Sequence, residues 1–233
     1  MTPNKKSRPP VRRKKSNKTL FAAIAIIAII VISVGAYAFL GNPGNQPTNP
    51  TPTPSTPPGT SPTPDPNYVG ATKVLLETSV GNITLELRTD KPITSGNFEN
   101  LVSQGLYDGT IFHRVIAGFM IQGGMITSQT IPTINDEIGQ NNRNSAYTIA
   151  MAKTSEPNSA TSQFFINVAD NGNNIIDQAG TRFDQVYTAF GRVIEGKNVV
   201  DAIAEAPVTS NPYTGENSQP ITPVTLIRAT IVS

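Results

Sequence analysis

The sequence predicts a mainly β protein: an antiparallel barrel over residues 70–233, preceded by one transmembrane helix at 19–40 and a proline-rich linker at 41–69. Three observations carry that prediction. Residues 19–40 are 22 consecutive positions without a charge, directly after a basic run. Ten prolines lie between Pro43 and Pro66. Beyond residue 70 the chain shows many short strand-like patterns and only two stretches of helical spacing. Short strands of that kind lose their exposed edges by closing into a barrel.

Eight of the 18 basic residues fall within positions 1–18, where there is no acid. The uncharged run that follows, rich in Ile, Val and Ala, spans a hydrocarbon core of about 30 Å at 1.5 Å rise per residue. The cations mark the cytoplasmic side and place the rest of the chain outside, as a single-pass cell-membrane protein. An A-x-A-like site at Ala36-Tyr37-Ala38 leaves a second reading, a leader cleaved near Ala38 with a secreted product. From residue 70 onward there are 10 basic and 15 acidic residues, a net of −5. A nucleic-acid partner would therefore rest on the tail alone, and none is expected. The linker prolines fix φ and remove donors, so 41–69 reads as a semi-rigid spacer of at most about 80 Å.

Within the barrel region, residues 73–79 and 82–88 flank a turn at Val80-Gly81. Ile83, Leu85 and Leu87 alternate with Thr84, Glu86 and Arg88, the pattern of a half-buried hairpin. Asp90 reads as the cap of a helix that has Pro92 in its first turn and runs to about Gln104, with Phe98, Leu101 and Val102 on one face. Residues 111–115 and 119–122 read as two short strands around Ala117-Gly118. Residues 125–144 read as a long loop, 147–152 and 163–168 as strands, 170–185 as loop and 186–193 as a strand. Gly196 opens a second helix bearing Val199, Val200 and Ile203. Residues 207–223 read as loop and 224–231 as the closing strand.

One stretch stands apart chemically: residues 111–124, IFHRVIAGFMIQGG. Apolar side chains surround one cation, Arg114, and one amide, Gln122, with no acid, thiol or obvious nucleophile among them. Such a site binds and polarises a substrate rather than attacking it. The chain has no cysteine and one histidine, His113. Disulfides, thiolate metal sites and cysteine nucleophiles are excluded, and neither a histidine metal cluster nor a cofactor is expected. On periodicity alone, Phe119, Met120 and Phe165 read as plain core.

Phe112-His113-Arg114 followed by Gly118-Phe119-Met120-Ile121-Gln122-Gly123-Gly124 resembles the cyclophilin signature. The blocks Ile149-Ala150-Met151-Ala152, Asn158-Ser159-Ala160-Thr161-Ser162-Gln163-Phe164-Phe165-Ile166-Asn167 and Ala189-Phe190-Gly191-Arg192-Val193 follow in the same order. The resemblance covers about 70–233 and is greatest to compact prokaryotic members. It implies an eight-stranded antiparallel barrel capped by two helices, and peptidyl-prolyl cis/trans isomerase activity on proline-containing polypeptides. It further implies that Arg114 acts on the substrate, and that Phe119, Met120 and Phe165 line a proline pocket. Gln122, with Arg114 the catalytic pair, and Gln163 would hold the substrate backbone and orient the arginine, and Ala152-Lys153 would pair with the peptide mainly through main chain. Ile176 would supply an apolar wall, and Tyr187 stands where many relatives have His. His113 reads as structural. Lys153, where relatives often carry Asn, would alter the charge of the rim. Met125 stands where the family usually has Asp. The absence of tryptophan implies weak binding of cyclosporin-type inhibitors.

The chemistry implied needs no covalent step. Amide resonance sets a rotational barrier of roughly 18–20 kcal/mol, and catalysis requires only that the twisted amide be bound better than either planar isomer. A rigid guanidinium can donate to the prolyl nitrogen as it regains its lone pair, and a lysine would do so less well. Two further readings use the same fold without that reaction: a peptide-binding chaperone or scaffold, and a surface stalk whose barrel binds envelope components.

Overall fold

The computed structural model describes residues 66–139, 141–173 and 181–232. The basic tail, the 19–40 span and the linker up to residue 65 lie outside them. Among the described residues no helix is long and apolar enough to cross a membrane.

The chain begins with a single 3-10 turn, Pro66–Tyr68, then a hairpin of β1 (Lys73–Thr78) and β2 (Gly81–Leu87). Helix α1 (Pro92–Ser103) follows, then β3 (Ile111–Phe112), β4 (Arg114–Ile116) and β5 (Met120–Gly123). After the loop come β6 (Thr148–Met151), β7 (Phe164–Asn167) and a 3-10 turn, Phe183–Gln185. The chain ends with β8 (Ala189–Glu195), α2 (Lys197–Ala204), β9 (Val208–Ser210), β10 (Asn217–Pro220) and β11 (Val224–Val232).

Nine strands form one sheet in the order β3-β11-β1-β2-β8-β6-β7-β5-β4. Its two edge strands are consecutive in sequence. β3 pairs with β11 and β4 pairs with β5, both antiparallel. The segment 111–116 therefore joins one end of the sheet to the other, and His113 N–H donates to the Gln122 carbonyl at 3.0 Å across the join. Taken as one strand broken at His113, that segment makes an eight-stranded, nearly closed antiparallel barrel with two helices. Every strand pair in it is antiparallel.

Alternation decides what faces inward. Ile83, Leu85 and Leu87 of β2 and Val74 and Leu76 of β1 are fully buried. They join Phe98, Leu101 and Val102 of α1 and Val200 and Ile203 of α2 in one core. Phe98 organises the aromatic part of that core, with ring centroids 5.0 Å from Tyr107, 5.6 Å from Phe164 and 5.3 Å from Phe190. Tyr107, fully buried, donates its hydroxyl to the Ser162 carbonyl at 2.8 Å, which satisfies its one polar atom. Gly124 sits at φ +73°, and a Cβ there would meet the Phe164 ring at 2.7 Å. Only glycine turns the chain at that point.

Three local expectations differ from the structure. Asp90 does not cap α1; it pairs with Arg88 at 2.7 Å, and Lys91 takes the cap position with no side-chain bond to the helix N–H groups. The open N–H groups of Ile93 and Thr94 donate instead to the Glu137 carboxylate at 3.1 and 2.8 Å, and the Thr94 hydroxyl joins at 2.7 Å. A cap supplied from 43 residues downstream leaves no local signature. The strand read from 186 begins at Ala189, because Val186 and Tyr187 bond back to Phe183 and close a 3-10 turn. The stretch 207–223 is not all loop: β9 and β10 form a two-stranded hairpin.

Glu137 therefore supplies both the hydrogen bonds and the negative charge at the start of α1. Replacing it with Ala is expected to cost about 1–2 kcal/mol, the range of a lost helix cap. Urea unfolding measures this, and a Glu137→Ala protein as stable as the parent would refute it.

Candidate active site

Directly opposed residues of antiparallel strands share a face, and one such row crosses half the barrel. Arg114 on β4 opposes Gln122 on β5, Gln122 opposes Phe165 on β7, and Phe165 opposes Ala150 on β6. Ala150 opposes Ala189 on β8. Since Ile121, Ile149 and Ile166 join the main core, this row lies on the outer face of the barrel. β5 and β7 are buried throughout, so something covers them on the outside. That cover is a second apolar cluster: Phe119, Met120, Ala150, Ala152, Phe165, Phe183, Tyr187 and Ala189.

The aromatic members make the walls. Phe183 lies 5.6 Å from Phe119, 6.2 Å from Phe165 and 4.6 Å from Tyr187, centroid to centroid. Phe165 meets Tyr187 edge-on at 5.5 Å. Ala150 and Ala189 are the small members of the same cluster as the rings. The sequence reading assigned the remaining wall to Ile176, which lies outside the described residues; Phe183 was overlooked. Its signal was present, as an aromatic four positions before Tyr187, whose N–H bonds to the Phe183 carbonyl and brings the two rings together.

Arg114 stands at the edge of this cluster, with its Cζ 5.9 Å from the Phe119 ring centroid and Nη1 3.7 Å from Met120 Sδ. Nε and Nη2 donate to Glu216 at 2.6 and 2.8 Å. Glu216 is the second residue missed, because it lies in the stretch taken as loop. Burial pushes its carboxyl up, but the hydrogen bonds and charge of Arg114 outweigh this and hold it below the ordinary glutamate value. Gln122 Nε2 donates to Gln163 Oε1 at 3.0 Å. The buried Gln122 Oε1 has no partner among the described residues. Ala152 N–H donates to the Gln163 carbonyl at 2.9 Å, continuing the β6–β7 ladder.

Lys153 does not alter the rim charge as expected. Its side chain is 6% exposed and its Nζ lies 2.6 Å from Asp136 Oδ2, which makes a neutral pair. The loop after Met125 supplies that acid. Among the described residues no group of three or more His, Cys, Asp or Glu is placed to hold a metal. A cavity of about 440 Å³ lies elsewhere, lined among others by Tyr68, Arg88, Tyr147, Arg192 and Lys197. It shares no residue with this site. Arg88 and Arg192 there are paired with Asp90 and Glu86, so it offers no comparable open chemistry.

The profile described as "Cyclophilin type peptidyl-prolyl cis-trans isomerase/CLD" matches residues 73–231. The chain belongs to the cyclophilin family. A peptidyl-prolyl cis-trans isomerase of Acinetobacter baylyi is 46% identical over 168 residues, covering 70% of this chain and 86% of that protein. Peptidyl-prolyl cis-trans isomerase A of Dickeya dadantii is 46% identical over 158 residues, covering 65% and 81%. A crystal structure of a cyclophilin-type isomerase from Cryptosporidium parvum superposes with a TM-score of 0.58 at 26% identity, over 70% of this chain and 98% of that one. A structure obtained in the presence of the dipeptide Ala-Pro does so with a TM-score of 0.58 at 27% identity, over 69% and 99%. The chain is a peptidyl-prolyl cis-trans isomerase, and the cyclophilin fold binds proline-containing peptides.

His113 sits beside this cyclophilin site as a structural group. Burial drives its pKa down to about 4, and the neighbouring Arg114 charge adds to that, against hydrogen bonds that the ring donates to Ile111 and Gln163, which raise it. The unfolded chain takes up a proton near the ordinary histidine value of about 6.5. The folded state does not do so until about pH 4, so stability falls as pH drops through that window. The loss is expected to reach up to about 3 kcal/mol. Denaturant midpoints at pH 6.5 and 4.5 measure it, and His113→Gln should flatten the slope. Identical slopes in the two proteins would exclude His113 as the source.

Proposed function

We propose that this cyclophilin isomerises X–Pro bonds of exported proteins by non-covalent catalysis at Arg114, assisting their folding outside the membrane. The observation that carries the catalytic part is the cross-strand row, which sets a guanidinium beside an apolar cluster with no acid or thiol in the row. A proline ring seats among Phe119, Met120, Phe165 and Phe183, with Tyr187 behind. As the bond twists, its nitrogen becomes pyramidal and accepts from the guanidinium. That interaction exists only in the transition state and so accelerates rotation. The unpartnered Gln122 Oε1 accepts a substrate backbone N–H, which holds the peptide while the prolyl bond turns. The edge at Ala152 and Lys153 pairs with the extended peptide through main chain.

The location rests on the sequence alone: eight cations before 22 uncharged residues are a signal-anchor pattern with the barrel outside. Protease accessibility of the barrel in intact cells, with the mature N-terminus determined from membrane and medium fractions, tests it. Degradation only after lysis would refute export, and a mature chain starting after Ala38 would replace the anchor with a secreted product.

Exchange spectroscopy of an X–Pro peptide with the full chain tests the chemistry. Arg114→Ala is expected to lower kcat/KM by about 100-fold or more, as for loss of a transition-state donor, with peptide binding partly kept. Arg114→Lys should fall between the two. Wild-type exchange in Arg114→Ala would remove Arg114 from the mechanism. Binding without exchange in the parent protein would make it a peptide-binding scaffold.

A further inference from the structure

We propose that Glu216 is a positioning residue for this reaction, holding the Arg114 guanidinium in the rotation that turns Nη1 toward the proline pocket. The inference rests on Arg114 acting at the prolyl nitrogen. Two parallel bonds, from Nε and Nη2 to the two carboxylate oxygens, fix a planar group in both place and rotation. Nη1 is the nitrogen left on the Met120 side. The pair is not an ordinary surface contact, since the two side chains are only 11% and 23% exposed.

The backbone that carries this carboxylate is itself held. Glu216 stands where the β9–β10 turn rejoins β10, and Asn211 N–H donates to its carbonyl at 2.8 Å while its own N–H reaches Thr214 Oγ1 at 3.2 Å. Asn211 Oδ1 accepts from Tyr213 N–H and Thr214 N–H, and Gly215, at φ +73°, donates to the Asn211 carbonyl. The turn is thus bonded within itself, and β10 lies along β4. A rigid acceptor is attached to the strand that carries the arginine. The function of β9 and β10, otherwise a small polar addition to the barrel, is to present that acceptor.

Two roles for such a carboxylate predict opposite signs. A charge that only tempers Arg114 weakens its pull on the nitrogen, and removing it would raise kcat. A charge that orients Arg114 is needed, and removing it lowers kcat. With the full chain, Glu216→Ala is expected to lower kcat by about 10- to 100-fold, the effect of a reacting group misplaced by about 1 Å. KM should change little, because the pocket is intact. Glu216→Gln, which keeps one acceptor, should recover part of the loss. In the Arg114→Ala background Glu216→Ala should change nothing further, since it acts only through the arginine. The Arg114 Nε–Hε resonance, sharp and slowly exchanging in the parent, should broaden in Glu216→Ala, a readout independent of turnover. An unchanged or raised kcat in both Glu216 variants overturns the proposal. So does an equal loss in the presence and absence of Arg114. If Arg114→Ala alone keeps full activity, it is the catalytic reading of the arginine that fails, whatever Glu216 does.

Discussion

The closure of the barrel through residues 111–116 is the constraint on which the rest depends. That segment pairs with β11 at one end and β5 at the other, with one hydrogen bond from His113 to Gln122 across the break. Its register decides that Arg114 opposes Gln122 and therefore lies on the outer face. A slip of one residue would turn Arg114 into the core and Val115 out of it. The core forbids this, because Val115 and Ile121 are buried in it beside Phe112. Packing inside the barrel thus fixes the reactive face outside it.

The outer face is unusual for a small barrel in being buried as well. Antiparallel sheets ordinarily alternate apolar and polar, yet β5 and β7 are buried at every position. The second apolar layer over them groups the rings with Ala150 and Ala189. Four aromatics brace that layer, each ring meeting at least one other. A pocket for a rigid five-membered ring needs walls of that kind more than it needs polar groups.

What the sequence discloses is what local pattern and linked motifs encode. Alternation in residues 82–88, helical spacing at 92–104 and the turn glycines were readable because their causes lie within a few residues. The barrel followed from motif blocks in a fixed order. What stayed hidden depends on partners far away. Glu137 caps α1 from 43 residues downstream. Asp136 neutralises Lys153 from the same loop. Glu216 meets Arg114 across 102 positions. The β9–β10 hairpin shows no apolar alternation, because it is short and mostly outside the core. Phe183 escaped notice because the stretch before it carries Asn and Gly and shows no regular spacing.

The single bond from His113 to Gln122 also bears on how the enzyme opens. Most catalytic sites rest on loops that can loosen while the scaffold persists. Here the residue before Arg114 lies where the two ends of the sheet meet, and its N–H bonds to Gln122, the residue that Arg114 opposes. Loosening the site means parting the barrel at its seam. Local breathing and catalytic competence are therefore tied to one cooperative unit, and the site should be among the last parts of the molecule to exchange its amide hydrogens. The register that closes the barrel is also the register that keeps the reactive edge in place.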